Sequence, residues 1–156
     1  MNRLISVTLE DAGLAPPTPE IEQERRVAIY DLLEENRFRP CRPDAPEGPY
    51  ALRLAVHERR LIFALTTEAG APAGEIHLSL GPLSQIIKDY HAICSSYFDA
   101  VKHLPPAKIE AIDMGRRGIH NEGARLLRER LDGKAEIDED TARRLFTLVC
   151  VLHFAG

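Results

Sequence analysis

The chain has 156 residues, a formal charge of -4, 44% hydrophobic and 28% charged residues, no Trp and nine aromatics. A chain of this size buries roughly 68–70% of its unfolded surface, enough for one globular domain, 1–156, whose core needs no staples. The apolar fraction excludes a disordered chain, and no apolar run approaches the ~20 residues of a membrane span.

The opening run Met1 to Glu10 has one basic residue and no long apolar segment, so it does not read as a secretory signal and the expected compartment is the cytosol. Cys41, Cys94 and Cys150 are odd in number, widely spaced and without a Cys-x-x-Cys pair. They read as reduced thiols, with neither a disulfide framework nor a metal site implied. Arg outnumbers Lys sixteen to four, yet from Lys108 to Arg144 nine basic side chains face nine acidic ones, so no net field attracts phosphate backbones. Neither nucleic acid nor membrane is expected as a partner.

In chain order, the β-branched run Leu4-Ile5-Ser6-Val7-Thr8-Leu9 predicts a strand ended by Asp11-Ala12-Gly13. After Pro16-Pro17, Thr18 is the expected N-cap of a helix reaching about Asn36, with Pro19 at its first position and Glu20 and Glu22 in its positive-dipole turn. Its apolar stripe is Ile21, Ala28, Ile29, Leu32 and Leu33, with the Arg25 stem at the edge. Pro40 to Pro49 holds four prolines and a Gly and reads as a connection. Tyr50–His57 and Leu61–Thr66, separated by Glu58-Arg59, predict an antiparallel hairpin; Glu75–Leu80 adds a third strand with Ile76, Leu78 and Leu80 on one face.

From Gly81-Pro82 the period changes. Leu83, Ile86, Ile87, Tyr90, Cys94, Tyr97 and Val101 follow helical spacing up to Leu104. Pro105-Pro106 breaks this helix, and a second runs from about Ala107 through Leu131 with Ile109, Ile112, Ile119, Leu126 and Leu127 inward, closing an αα-hairpin. The acidic run Glu136 to Asp140 reads as a helix N-terminus rather than a calcium loop, since it lacks the alternating ligands and Gly of an EF-hand. Asp138 would cap a last helix of which Leu145, Phe146, Leu148, Val149, Val151, Leu152 and Phe154 leave little polar face, so that helix is expected at the centre. A buried strand over Leu145–Leu152 is the competing reading.

The segment Ile109 to Gly123 is the least ordinary, because Gly115, Gly118 and Gly123 interrupt a helical pattern at about 1 kcal/mol each relative to Ala. At 100° per residue, Arg116 falls within the arc of Ile109, Ile112 and Ile119, while Asp113 and His120 lie at its edge. Asp113 and Arg117 stand i, i+4, as do Arg116 and His120. A carboxylate, two guanidinium groups and an imidazole thus converge beside a core seam. Asp113, Arg116, Arg117 and His120 form a candidate site for a phosphate or carboxylate, with Arg supplying planar donors and His a donor or a proton. The competing reading is packing: the glycines admit a neighbouring helix, Arg116 pairs with an internal carboxylate, or the helix breaks at Gly115–Gly118 with Asn121 capping a second piece.

Other chemistry-bearing residues give weaker signals. His91-x-x-Cys94 places an imidazole one turn from a thiol, but Cys94 lies at the centre of the apolar stripe and reads as inert, as does Cys150. Cys41 sits among Arg37, Arg39 and Arg42 without a nearby base. His57, His77, His103 and His153 lack ligand spacing, and no nucleophile-elbow, phosphate-loop or dinucleotide motif is present, so no cofactor is expected.

The words Glu24–Asn36, Ile112–Gly123 and Asp140–Leu148 together resemble uncharacterised protein family 0262, a group of small alphaproteobacterial proteins. The resemblance spans nearly the whole chain and implies an intact domain in a bacterial cytosol. It carries over no activity, substrate or catalytic residue.

The expected fold is α+β: a small antiparallel sheet of three to four strands packed by the αα-hairpin and a buried C-terminal helix. Two functional readings follow. The first is a non-enzymatic interaction or regulatory protein acting as a homodimer or with a protein partner. The second is a binder of, or enzyme acting on, a small phosphorylated or carboxylated metabolite through Asp113, Arg116, Arg117 and His120; it requires these side chains to line one concave, solvent-reached pocket, and Arg116 buried against an internal carboxylate would overturn it.

Overall fold

The computed structural model describes residues 2–10 and 17–155, the last two as backbone only. The elements follow in the order β1 (Leu4–Leu9), α1 (Pro19–Glu34), β2 (Phe38–Pro40), β3 (Tyr50–His57), β4 (Arg60–Thr67), β5 (Pro72–Ser79), α2 (Gly81–His103), α3 (Pro106–Leu131), β6 (Ala135–Ile137) and α4 (Glu139–Ala155). The expected stop at Asp11-Ala12-Gly13, Pro16 and the side chain of Phe154 lie outside the described residues.

The fold is α+β. Four strands form a mixed sheet in the order β1-β3-β4-β5. The antiparallel expectation holds for β3, β4 and β5, whereas β1 runs parallel to β3, with Val7 opposite Leu52 and Leu9 opposite Leu54. A parallel neighbour requires a long crossover, and α1 with the proline-rich segment supplies it. Alternation then divides the sheet: Leu52, Leu54, Leu61, Phe63 and Leu65 are buried, while Arg53 is exposed.

Two local features set register. Glu58 and Arg59 both take positive φ, 50° and 63°, so the hairpin closes in the two-residue turn whose twist matches the flanking strands. In β5 the register shifts where Thr66 faces Pro72 and Leu65 faces Gly74, leaving Ala73 as an extra residue. This bulge puts Ala73 on the same buried face as Leu78 despite their odd separation. Gly74 has φ +107, and the Arg42 guanidinium lies 3.1 Å from where its Cβ would stand.

α4 is central, as its composition predicts. Ala142, Leu145, Phe146, Leu148, Val149, Cys150, Val151 and Leu152 are all buried, and α1, α2, α3 and β3 pack around the helix. The strand alternative over Leu145–Leu152 is not adopted. Asp138 Oδ1 accepts the Thr141 N–H at 2.9 Å, the expected cap. The preceding acidic run is more than a cap: Ala135–Ile137 is β6, paired antiparallel with β2, and Glu136 reaches Arg39 at 2.6 Å. Phe38 opposite Ile137 and Pro40 opposite Ala135 are buried pairs, so this short sheet is fixed by long-range packing invisible to local pattern.

α1 begins as expected, with Thr18 Oγ1 accepting the Ile21 N–H at 3.2 Å. It ends at Glu34, two residues before the expected limit, because Asn36 leaves the helix to pair with β1. Asn36 Oδ1 accepts the Leu4 N–H at 2.7 Å, and its Nδ2 donates to the carbonyls of Leu4 at 2.9 Å and Leu32 at 2.8 Å. In α2, Leu83, Ile87, Tyr90 and Cys94 are buried, but Val101 is 53% exposed and Ala100 is buried beside it.

α3 runs unbroken through its glycines, so the break at Gly115–Gly118 does not occur and Asn121 caps nothing. A Cβ on Gly115 would stand 3.0 Å from Ile93 Cδ1 of α2, and one on Gly123 would overlap the Phe146 ring of α4. Gly118 faces open space.

Candidate functional site

Between α1, α3 and α4 lies a cleft of about 610 Å³. α1 contributes Gln23, Glu24, Val27, Ala28 and Asp31; α3 contributes Arg116, Arg117, His120 and Asn121. α4 adds Arg143, Arg144 and Thr147, and Tyr90 of α2 reaches in as well. Helical spacing explains the grouping: 116, 117, 120 and 121 recur one turn apart, as do 143, 144 and 147.

Of the four residues expected at an anion site, Arg116, Arg117 and His120 line this cleft. Asp113 stands one turn earlier and holds both arginines. Its Oδ1 accepts from Arg116 Nη2 at 2.7 Å and Nε at 3.1 Å, and its Oδ2 lies 3.3 Å from Arg117 Nε. The Arg116 guanidinium also lies 3.7 Å from Glu24 Oε1 and 4.6 Å above the Tyr97 ring. Arg116 is thus held on internal carboxylates in a largely buried position, its side chain 25% exposed. It stiffens the cleft wall instead of presenting open donors.

A second polar chain crosses the floor. Tyr90 donates its hydroxyl proton to Glu24 Oε1 at 3.2 Å. Burial pushes the Glu24 carboxyl above its ordinary range against the opposing pull of Tyr90 and Arg116, and burial with the Glu24 charge raises the Tyr90 phenol. His120 Nε2 lies 2.7 Å from Thr147 Oγ1, whose hydroxyl also reaches the Arg143 carbonyl at 3.3 Å. The His120 ring contacts Tyr90 and Phe146 at centroid distances of 5.1 and 5.3 Å. Burial, with the charges of Arg116 and Arg143, lowers the His120 pKa to about 4. The imidazole is neutral at pH 7.

The cleft residues that the sequence did not mark come from other helices: Gln23, Glu24 and Asp31, Tyr90, and Arg143, Arg144 and Thr147. The adjacent pair Arg143-Arg144 was a visible local signal, but its proximity to α3 depends on the Gly123–Phe146 contact. Elsewhere, Cys94 and Cys150 are buried thiols, the former pushed up to about 11 by burial, and His91 is exposed. Cys41 is half-buried with Sγ 4.0 Å from the Arg39 carbonyl. His57, His77 and His103 are exposed and His153 is half-buried. Among the described residues no helix is long and apolar enough to cross a membrane.

These features define a small α+β protein with a polar interhelical cleft. The chain belongs to the Uncharacterised protein family (UPF0262), whose model matches residues 1–155. It is 66% identical to a UPF0262 protein of Dinoroseobacter shibae (strain DSM 16493 / NCIMB 14021 / DFL 12) and to one of Jannaschia sp. (strain CCS1), with both chains of each pair covered in full. A UPF0262 protein of Paracoccus denitrificans (strain Pd 1222) is 66% identical over 97% of this chain and 95% of its own length. These relatives are alphaproteobacterial, and no function is named for them. No solved structure matches the chain.

Proposed function

We propose that the protein binds a small organic anion, a carboxylate or a phosphate, in the cleft between α1, α3 and α4. The cleft itself carries this reading: about 610 Å³ lies within the range of small-molecule sites, and its walls present Arg117, Arg143 and Arg144 beside a neutral imidazole. Arg144 supplies the principal cation, because Arg117 leans on Asp113 and Arg143 on Glu139 and Asp140. Asp113, Arg116 and His120 hold the wall in shape. The reading is binding without catalysis, since a ring with a pKa of about 4, hydrogen-bonded to Thr147, is a poor acid or base at pH 7.

A thermal-shift screen of the purified protein against carboxylates, phosphorylated metabolites and nucleotides tests it. A ligand at 100 times its dissociation constant stabilises the fold by about 2.7 kcal/mol. The expected result is a hit that Arg144→Gln abolishes while the protein stays folded. The reading falls if no anion shifts the melt.

A second reading, a cytosolic homodimer, is favoured by Val27 and Tyr30, which stand i, i+3 on α1 and are 47% and 67% exposed. Sedimentation across a concentration series, with Tyr30→Glu beside the native protein, tests that reading. A constant monomer mass would overturn it.

A further inference from the structure

Most charges in the cleft already have partners. Asp113 holds Arg116 and Arg117, Tyr90 and Arg116 face Glu24, and Arg143 pairs with Glu139 and Asp140. Two lining charges differ. Among the described residues, neither Asp31 nor Arg144 forms an ion pair or a side-chain hydrogen bond. They are opposite in sign and lie on α1 and α4, which pack together, yet no bridge within 4.0 Å joins them. The lining amides of Gln23 and Asn121 likewise make no side-chain hydrogen bond among the described residues.

Resting on the anion-binding reading above, we propose that the natural ligand is a zwitterion, with its anionic group against Arg144 and an ammonium against Asp31. A simple anion satisfies Arg144 but brings negative charge towards Asp31, whereas a simple cation does the reverse. A ligand carrying both charges answers both walls, and partial desolvation in the cleft strengthens each contact. Val27 and Ala28 line the same cleft and offer apolar surface to the methylene stem joining the two ends. Gln23 and Asn121 supply neutral donors and acceptors for any polar substituent.

The test is calorimetric titration of the full chain with the ω-amino acid series from glycine to 6-aminohexanoate, each beside the carboxylate of equal length without its amine. At least one amino acid should bind about tenfold or more tightly than its deaminated counterpart. Asp31→Asn should erase that preference by weakening the amino acid, with the plain carboxylate binding at least as tightly as to the native protein, and Arg144→Gln should remove binding of both. Melting curves confirm that each variant is folded. If the carboxylates bind as well as the amino acids, the zwitterion proposal falls and the anion-binding reading stands. A preference that survives Asp31→Asn overturns the proposal as well. If neither series binds and no phosphate shifts the melt, both readings fall together.

Discussion

The Phe146 ring of α4 occupies the space a side chain at position 123 of α3 would need: a Cβ on Gly123 would stand 2.5 Å from its Cε1 and Cε2. The consequence reaches the cleft, because this contact brings His120 and Asn121 of α3 beside Arg143 and Thr147 of α4. Gly123→Ala forces Phe146 aside or the helices apart. Overpacking of this kind costs typically 1–3 kcal/mol, only partly offset by about 1 kcal/mol of helix propensity. Gly118→Ala is the control in the same helix: nothing lies within 4 Å of its Cβ, so it should stabilise by up to about 1 kcal/mol. Urea unfolding of the two variants should move in opposite directions.

The β3–β4 turn carries two non-glycine residues at positive φ, Glu58 and Arg59. Left-handed backbone costs such residues roughly 1 kcal/mol each, and Asn-Gly suits this turn far better. The double change Glu58→Asn with Arg59→Gly should raise the melting temperature, with a gain of about 1 kcal/mol. A lower melting temperature would mean that the Leu80 N–H to Arg59 carbonyl bond of 3.0 Å depends on the native turn.

His120 makes stability pH-dependent. Its folded pKa of about 4 lies below the ordinary imidazole value of 6.5, so the unfolded chain binds the proton more readily. Stability is complete above about pH 6.5 and falls as pH drops through 4, by roughly 3 kcal/mol in the limit. Glu24 works in the opposite sense: burial raises its folded pKa, so proton uptake by the folded protein offsets part of that loss at acid pH. His120→Gln should flatten the melting-temperature profile as pH falls from 6.5. An unchanged profile would show that the acid limb arises elsewhere.

Asn36 joins the end of α1 to β1 through three hydrogen bonds. Asn36→Ala leaves the Leu4 N–H without its acceptor beside a strand whose Leu4 is fully buried, and should cost about 2–4 kcal/mol in chemical denaturation. Asn36→Asp keeps the acceptor but loses both donated bonds, so it should recover only part of that loss.

Most elements could be read along the chain, for a local reason. The 3.6-residue spacing from Leu83 to Cys94, the caps Thr18 and Asp138 and the near-total apolarity of Leu145–Leu152 each express a preference of neighbouring residues, and each appears as expected. The candidate site was legible only in part. Asp113, Arg116, Arg117 and His120 share one helix, so their mutual spacing was fixed by periodicity, and three of them line one cleft. The pairing of Arg116 with Asp113 is local, whereas its second carboxylate, Glu24, is 92 residues away in the chain.

The sequence by itself determined the helices, the β3–β4–β5 meander and the polar cluster on α3, because periodic burial and capping act over a few residues. Only the tertiary structure decided that β1 lies parallel to β3, that Phe38–Pro40 pairs with Ala135–Ile137, and that Asp31 and Arg144 face a common cleft. Those relations join segments about 40 to 110 residues apart. They are set by which buried surfaces fit together, as Gly123 fits Phe146, and no local preference encodes that fit.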